Sequence, residues 1–108
     1  VFGSDWPTSP MSPLTQINDA VFRESPFGLG NGPWHAENAV TFDQALFAYT
    51  QAGANMTPWA KEIGSITVGK WADFVVLDGT LPAPLDRSVR QRHVQSTYLA
   101  GKRVFEKQ

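Results

Sequence analysis

Near the start of the chain, Val1-Phe2-Gly3-Ser4-Asp5-Trp6-Pro7 places a lone aspartate after two apolar residues, a glycine and a serine. The order reads as the last turns of a buried strand delivering a carboxylate to a loop. A carboxylate in that position either accepts nearby backbone N–H bonds as a turn or helix cap, or does proton-transfer chemistry at a site. The residues that would join it in a metal centre are sparse. His35 and His93 stand far apart, there is no His-x-His pair, and the chain has no cysteine, so thiolate sites and disulfides are excluded. Neither histidine completes a zinc site with Asp5 alone, because a catalytic zinc takes three protein ligands plus water. His35, beside Trp34 in a long loop, is either a solvated loop residue or part of the lining of a substrate cavity. His93 reads as a surface or strand-edge residue.

Other constellations point to structure. Gly28-Leu29-Gly30-Asn31-Gly32 invites a nucleotide reading, but no strand feeds it, Pro33 follows the last glycine, and no acidic residue sits on a following strand. Asp73 and Asp78 flank an apolar run at a spacing of five, which puts them on opposite faces of a strand, as turn and edge residues. Trp59 and Trp71 near Lys61 and Lys70 read as packing. Arg87, Arg90, Arg92, Lys102, Arg103 and Lys107 form a solvated face rather than a polyanion site.

The elements that position these residues divide the chain in two. Up to about residue 63 the pattern is helical and punctuated by glycine and proline; beyond it the pattern is strand-like with short turns. Ser12-Pro13 predicts a helix start, with Leu14, Ile17, Val21 and Phe22 as its apolar stripe and Ser25-Pro26 as its stop. Thr41-Phe42-Asp43-Gln44 predicts a capping box, and Phe42, Ala45, Leu46, Tyr49 and Gly53 a single packing face. Met56-Thr57-Pro58-Trp59 restarts a helical turn that Gly64 ends. Ile66 and Val68 alternate with polar residues before a Gly69-Lys70 turn. Residues 71–78, WADFVVLD, read as a strand apolar on both faces that must be covered twice. Asp78-Gly79 with Pro82 and Pro84 makes a loop. His93–Leu99 and Lys102–Glu106 form a hairpin, with Val94, Ser96 and Tyr98 on one face. The Ala100-Gly101 connection is expected to be a type I turn with a left-handed glycine, since alanine disfavours positive φ.

Composition sets broad limits. The chain has 108 residues, 42% of them hydrophobic and 18% charged, enough for one small core. A net charge of −1 offers no basic stripe for phosphates, which argues against nucleic acid. No apolar run approaches the roughly 20 residues of a membrane span. The compartment stays open, with the cytoplasm the favoured expectation. A strand buried on both faces needs neighbours, yet the next strand-like segment after Val1-Phe2 lies about sixty residues on, so the chain is expected to begin inside something larger.

Several segments together resemble the C-terminal end of a metal-dependent amidohydrolase. They are Gly3-Ser4-Asp5, the capped helix VTFDQALFAYT, the run IGSITVGKWADFVVLD at 63–78 and the closing TYLAGKRVFE. Ala20-Val21-Phe22-Arg23 and the Gly-Ser-Asp start resemble the amidohydrolase 3 branch, which includes YtcJ-like and exoenzyme-regulatory-type members. The 63–78 run is the most specific part. The resemblance implies an α+β fragment, comprising the last strand and helices of a distorted (β/α)8 barrel followed by the C-terminal strands of a small β-sandwich. Residues 1 to about 6 would be the eighth barrel strand and 12–62 the helices after it. On this basis 1–63 is the end of the barrel and 64–108 the C-terminal part of the composite sandwich; a complete barrel takes about 250 residues.

The resemblance also implies the chemistry. In the intact protein Asp5 would be both metal ligand and proton shuttle, with a divalent metal, zinc by expectation, activating water against a small-molecule amide-type substrate at a carbon–nitrogen bond other than a peptide bond. The remaining ligands would be a His-x-His pair on the first strand, histidines on the fifth and sixth, and in some members a carboxylated lysine on the fourth. The isolated chain would then be inactive, without a metal of its own. Its exposed packing faces would make it rearrange, form a homo-oligomer or keep its N-terminal half mobile. The alternative is a non-catalytic β-rich structural or interaction module in which Gly3-Ser4-Asp5 is a frayed terminus.

Overall fold

The computed structural model describes every residue except Pro26, Gly28 and Asn31. The proline of the Ser25-Pro26 stop and two positions of the Gly28–Gly32 run therefore lie outside the described residues. Helix α1 spans Pro13–Phe22 with proline at its first position, as its fixed φ favours. Ser12 is extended and its hydroxyl makes no cap bond, so the start rests on proline rather than on the expected side-chain cap. Instead the Gln16 side-chain amide donates to Ser9 Oγ (2.6 Å) and to the Pro10 carbonyl (3.1 Å), tying the incoming segment to the helix. The helix ends at Arg23, left-handed at φ 54, whose N–H reaches the Asp19 carbonyl.

Helix α2, Phe42–Tyr49, has the expected capping box: Thr41 Oγ1 accepts from the Gln44 N–H (3.2 Å) and Gln44 Oε1 from the Thr41 N–H (2.9 Å). Its packing face is interrupted. Thr50 leaves helical geometry (φ −126, ψ −89) with its hydroxyl donating to the Leu46 carbonyl, and a short α3, Gln51–Asn55, resumes beyond it. Ala45 is fully buried, whereas Leu46 and Phe47 remain exposed. After α3, Thr57 Oγ1 accepts from the Trp59 N–H, and the Ile63 N–H returns to the Trp59 carbonyl in a single turn. The Lys70 ammonium closes that turn on the carbonyls of Ala60 and Ile63 (3.3 and 2.8 Å). Gly64, at φ 89, follows; a Cβ there would lie 2.4 Å from that of Ala54.

The sheet has three antiparallel strands in the order β1 (Phe74–Leu77), β2 (Val94–Leu99), β3 (Lys102–Glu106). Phe74 stacks on Tyr98 on one face (centroids 4.6 Å apart), and Ser96 of the same strand is buried. On the other face Val75, Thr97 and Phe105 align across the three strands, with Val75 and Phe105 exposed. The expectation of a strand covered twice is therefore corrected for this chain, since Val75 and Phe105 on that second face stay about half exposed. Ile66 and Val68 form no strand and project into solvent. Residues 1–5 form no strand either; the Phe2 N–H donates to the Ala48 carbonyl, and among the described residues no strand lies alongside to complete a ladder.

The hairpin connection departs from its expected geometry. Ala100 (φ 50) and Gly101 (φ 77) are both left-handed, the pattern of a mirror-image turn. A two-residue loop must match the right-handed twist of its strands, and that demand overrides alanine's preference. Two bonds hold it: the Ala100 N–H donates to Asp73 Oδ1 (2.7 Å) and the Gly101 N–H to the Ala72 carbonyl (3.0 Å). Asp73 is thus the turn residue its position suggested.

Ile17, Ala45, Ala54 and Val89 are the buried apolar side chains among the described residues. Val89 belongs to a 3₁₀ helix, Arg87–Gln91, that packs against α1, with Asp86 accepting the Ser88 N–H at its start. The C-terminal half thereby helps close the core beneath α1.

Candidate active-site segment and cleft

Asp5 sits in a tight turn with φ 51, a left-handed conformation that a non-glycine residue adopts at a cost of roughly 1–2 kcal/mol. The turn is closed by other groups: Ser4 Oγ accepts the Trp6 N–H (3.3 Å), and the Asp5 main-chain carbonyl accepts the Thr8 N–H (2.9 Å). Among the described residues no donor reaches the Asp5 carboxylate, which is exposed. The capping duty that would explain this aspartate structurally is performed by Ser4.

Next to this turn lies a cleft of about 890 Å³ between Val1–Gly3, the solvent side of α1 and the segment ending at Trp34. Phe2 meets Tyr49 edge-to-face across one wall (5.7 Å, 73°). Asp19 lines the cleft from α1; burial pushes its carboxyl above the usual range, against the opposing pull of its bond from Asn18 and the charge of Arg90. Its Oδ2, like the Oδ1 of the fully buried Asn18, has no hydrogen-bond partner among the described residues. Burial also raises the Tyr49 phenol, with the charge of Asp19 adding to it.

Arg23 and Trp34 close the opposite wall. The Trp34 N–H donates to the Arg23 carbonyl (2.8 Å), Arg23 Nε donates back to the Trp34 carbonyl (3.1 Å), and the guanidinium lies 5.8 Å from the indole centroid. Beneath them, Arg87 pairs with Glu24 (2.5 Å) and covers the Phe22 ring at 4.9 Å. The Ala20-Val21-Phe22-Arg23 segment is quoted above as part of a pattern, but its clamp on Trp34 spans eleven residues and has no local signal. Asp19 leaves no trace in the sequence, because a charge beside an apolar stripe is ordinary on a helix.

His35 lies just outside the cleft lining. Its ring stands edge-on to Trp34 (4.5 Å, 82°) while Nδ1 meets Glu37 Oε1 at 2.6 Å, the bond that holds the Glu37 carboxyl below its usual range. His93, at the edge of β2, meets Asp78 through both its main-chain N–H (3.0 Å) and its ring Nδ1 (3.2 Å). The structure brings neither histidine to Asp5. The exposed, donor-free Asp5 carboxylate suits one ligand position of a hard or borderline cation, but no group of three metal-binding side chains occurs among the described residues. No helix among them is long and apolar enough to cross a membrane.

Residues 1–105 match the family model described as the amidohydrolase family. Three curated proteins resemble the chain. An N-substituted formamide deformylase of Arthrobacter pascens is 35% identical over 104 residues, 96% of this chain and 19% of that protein. The protein LONG AFTER FAR-RED 3 of Arabidopsis thaliana is 33% identical over 103 residues, 95% and 17% of the two chains. A putative amidohydrolase, YtcJ, of Bacillus subtilis (strain 168) is 30% identical over 105 residues, 97% and 20%. The chain thus spans about a fifth of the length of these relatives. No solved structure matches it significantly.

Proposed function

The chain belongs to the amidohydrolase family, and from that premise we propose that it carries Asp5 as the metal-ligating and proton-transferring carboxylate of a longer hydrolase acting on carbon–nitrogen bonds of small amides. The observation that carries the proposal is the state of Asp5: a left-handed turn whose capping is done by Ser4 and by its own carbonyl, leaving the carboxylate free. In this reading residues 1–63 close a barrel and 64–108 complete a β-sandwich, and the further metal ligands come from the rest of the protein. The bound divalent metal, zinc in the simplest case, would lower the pKa of water toward 7 and polarise the substrate carbonyl. Asp5 takes the proton released by the attacking water on a carboxylate oxygen and returns it to the leaving nitrogen. The Ser4–Trp6 bond (3.3 Å) helps hold the turn from which the carboxylate projects. His35, edge-on to Trp34, contributes to substrate binding at the rim of the cleft.

In the full-length protein, Asp5→Asn is expected to lower kcat by about 10²–10⁴-fold with the thermal midpoint unchanged, because proton transfer of this kind contributes that much. Turnover within a few fold of the wild type would remove the assignment. One observation favours a second reading, a non-catalytic β-rich interaction module: Val75 and Phe105 stay exposed on either side of Thr97 on one face of the sheet. Amide turnover by the full-length protein, lost in Asp5→Asn, separates the two readings, and zinc tests the shared site of the first. The isolated 108-residue chain should bind none stoichiometrically if its site is shared with the rest of a hydrolase, and tight one-to-one binding would contradict a shared site.

A further inference from the structure

We infer that Gln16 is a positioning residue that holds the turn carrying Asp5 in place against α1. This rests on the proposed reading of Asp5 as a metal ligand, but the contacts it uses lie within residues 5–17 and are made by the chain itself. The turn has bonds of its own, from the Trp6 N–H to Ser4 Oγ and from the Thr8 N–H to the Asp5 carbonyl. They fix its shape and not its place on the molecule. Place has to come from the flanks. Upstream, Val1–Gly3 is read as barrel strand, held by neighbouring strands of the longer protein. Downstream, Thr8 runs straight into Ser9 and Pro10, and one side chain grips both: Gln16 Nε2 donates to Ser9 Oγ (2.6 Å) and to the Pro10 carbonyl (3.1 Å). A side-chain amide has two N–H groups, so the pair of bonds uses both and fixes the amide's orientation.

The grip is as firm as the helix behind it. The Gln16 N–H donates to the Ser12 carbonyl (3.3 Å), which seats the residue in regular α1. Its neighbour Ile17 is 2% exposed, in the core that the Val89 segment closes from beneath. Ser9, Pro10 and Gln16 are half-buried, whereas residues 5–8 are exposed, so contact with the body of the molecule begins at Ser9. Pro7 and Pro10 each fix φ along this short link, and a displacement at Ser9 and Pro10 is passed on to the turn rather than absorbed. A group that joins a metal site must be held within about 0.5 Å of its productive place. Here the holding passes from the core to α1, from Gln16 to Ser9 and Pro10, and through the Thr8 bond to the main chain of Asp5. The direction of the carboxylate is then set by the metal and its other ligands.

The test uses full-length protein with zinc as the probe. Its dissociation constant is read by competition with a chelator, beside the thermal midpoint of the metal-free protein. Gln16→Met keeps the side chain's length and helix preference and removes both donors. The expected result is about tenfold weaker zinc binding, the low end of what groups outside the ligand set contribute, with the metal-free midpoint little changed. Gln16→Lys, which restores a donor, should return the affinity to within roughly threefold of the wild type. Ser9→Ala removes one acceptor and should weaken binding less than Gln16→Met, and the double variant should be no weaker than Gln16→Met alone. Zinc affinity equal to the wild type in Gln16→Met, or equal weakening by Gln16→Met and Gln16→Lys, overturns the assignment. Should Gln16→Met fail to fold, Ser9→Ala decides, and wild-type affinity there overturns it. Asp5→Asn separates the two failures: if it leaves zinc affinity unchanged, the reading of Asp5 as a ligand falls and this assignment with it. If Asp5→Asn weakens zinc and Gln16→Met does not, the role of Gln16 alone is refuted.

Discussion

Asp5 and Asp78 show how differently two exposed aspartates are used. Asp5 has left its carboxylate without a donor, whereas Asp78 accepts the main-chain N–H and the ring of His93. The His93 main-chain bond is the leading cause that holds the Asp78 carboxyl below its usual range, with the ring bond and the charges of His93 and Lys107 adding to it. A carboxyl depressed in the folded state contributes stability above its unfolded pKa, about 4, and loses that contribution as pH falls through the folded value. Asp78→Asn should therefore flatten the acid limb of the stability curve below about pH 4. Urea unfolding from neutral to acid pH would measure this, and an acid limb identical to the wild type would refute it. The same pair links the end of β1 to the start of β2, where the Asp78 N–H also donates to the His93 carbonyl (3.0 Å), so the effect belongs to the sheet's register as well as to charge.

At the scale of elements, local chemistry succeeded where its partners were local. Thr41 and Gln44 are three residues apart and complete each other, and Pro13 needs nothing beyond its own ring to open α1. Thr50 defeats the single long face expected from Phe42 to Gly53, because its hydroxyl turns back to the Leu46 carbonyl and breaks the helix. The hairpin turn departs from its expected geometry for a related reason. Alanine's dislike of positive φ is an intrinsic preference, but Asp73 and Ala72, nearly thirty residues away, hold the turn's two N–H groups. Alanine at φ 50 stores strain, so Ala100→Gly should stabilise the 108-residue chain by about 0.5–1 kcal/mol once glycine's extra unfolded-state entropy is set against it. Chemical denaturation gives the value directly; a loss of stability would show that the alanine methyl makes a contact that outweighs the strain.

For the molecule as a whole, the distribution of burial governs behaviour. The described core is small, and Val1, Trp6, Trp34, Trp59 and Trp71 all stay exposed. Residues 1–5 are attached to the rest by the Phe2 bond to Ala48 and the Phe2–Tyr49 contact, whereas β2 is bonded on both sides. In the 108-residue chain, amides of residues 1–8 should exchange orders of magnitude faster than those of Val94–Leu99. Hydrogen exchange followed by mass spectrometry tests this. Protection at the N-terminus equal to that of β2 would mean that the first segment is packed far more firmly than its contacts allow.

What the sequence by itself determined were features whose causes lie within a few residues, or in a motif long enough to identify a family: the Thr41 cap, the Pro13 start, the strand-turn-strand hairpin, and the amidohydrolase pattern from Gly3-Ser4-Asp5 through residues 63–78. The tertiary structure decided the rest. It made Ser4 rather than Asp5 the capping side chain, joined Arg23 to Trp34, brought Val89 beneath α1 and bent Ala100 into a left-handed turn. Each of these depends on a side chain's competition for a partner that folding brings near. Such competition is settled by distance and burial in three dimensions, which residue spacing does not encode.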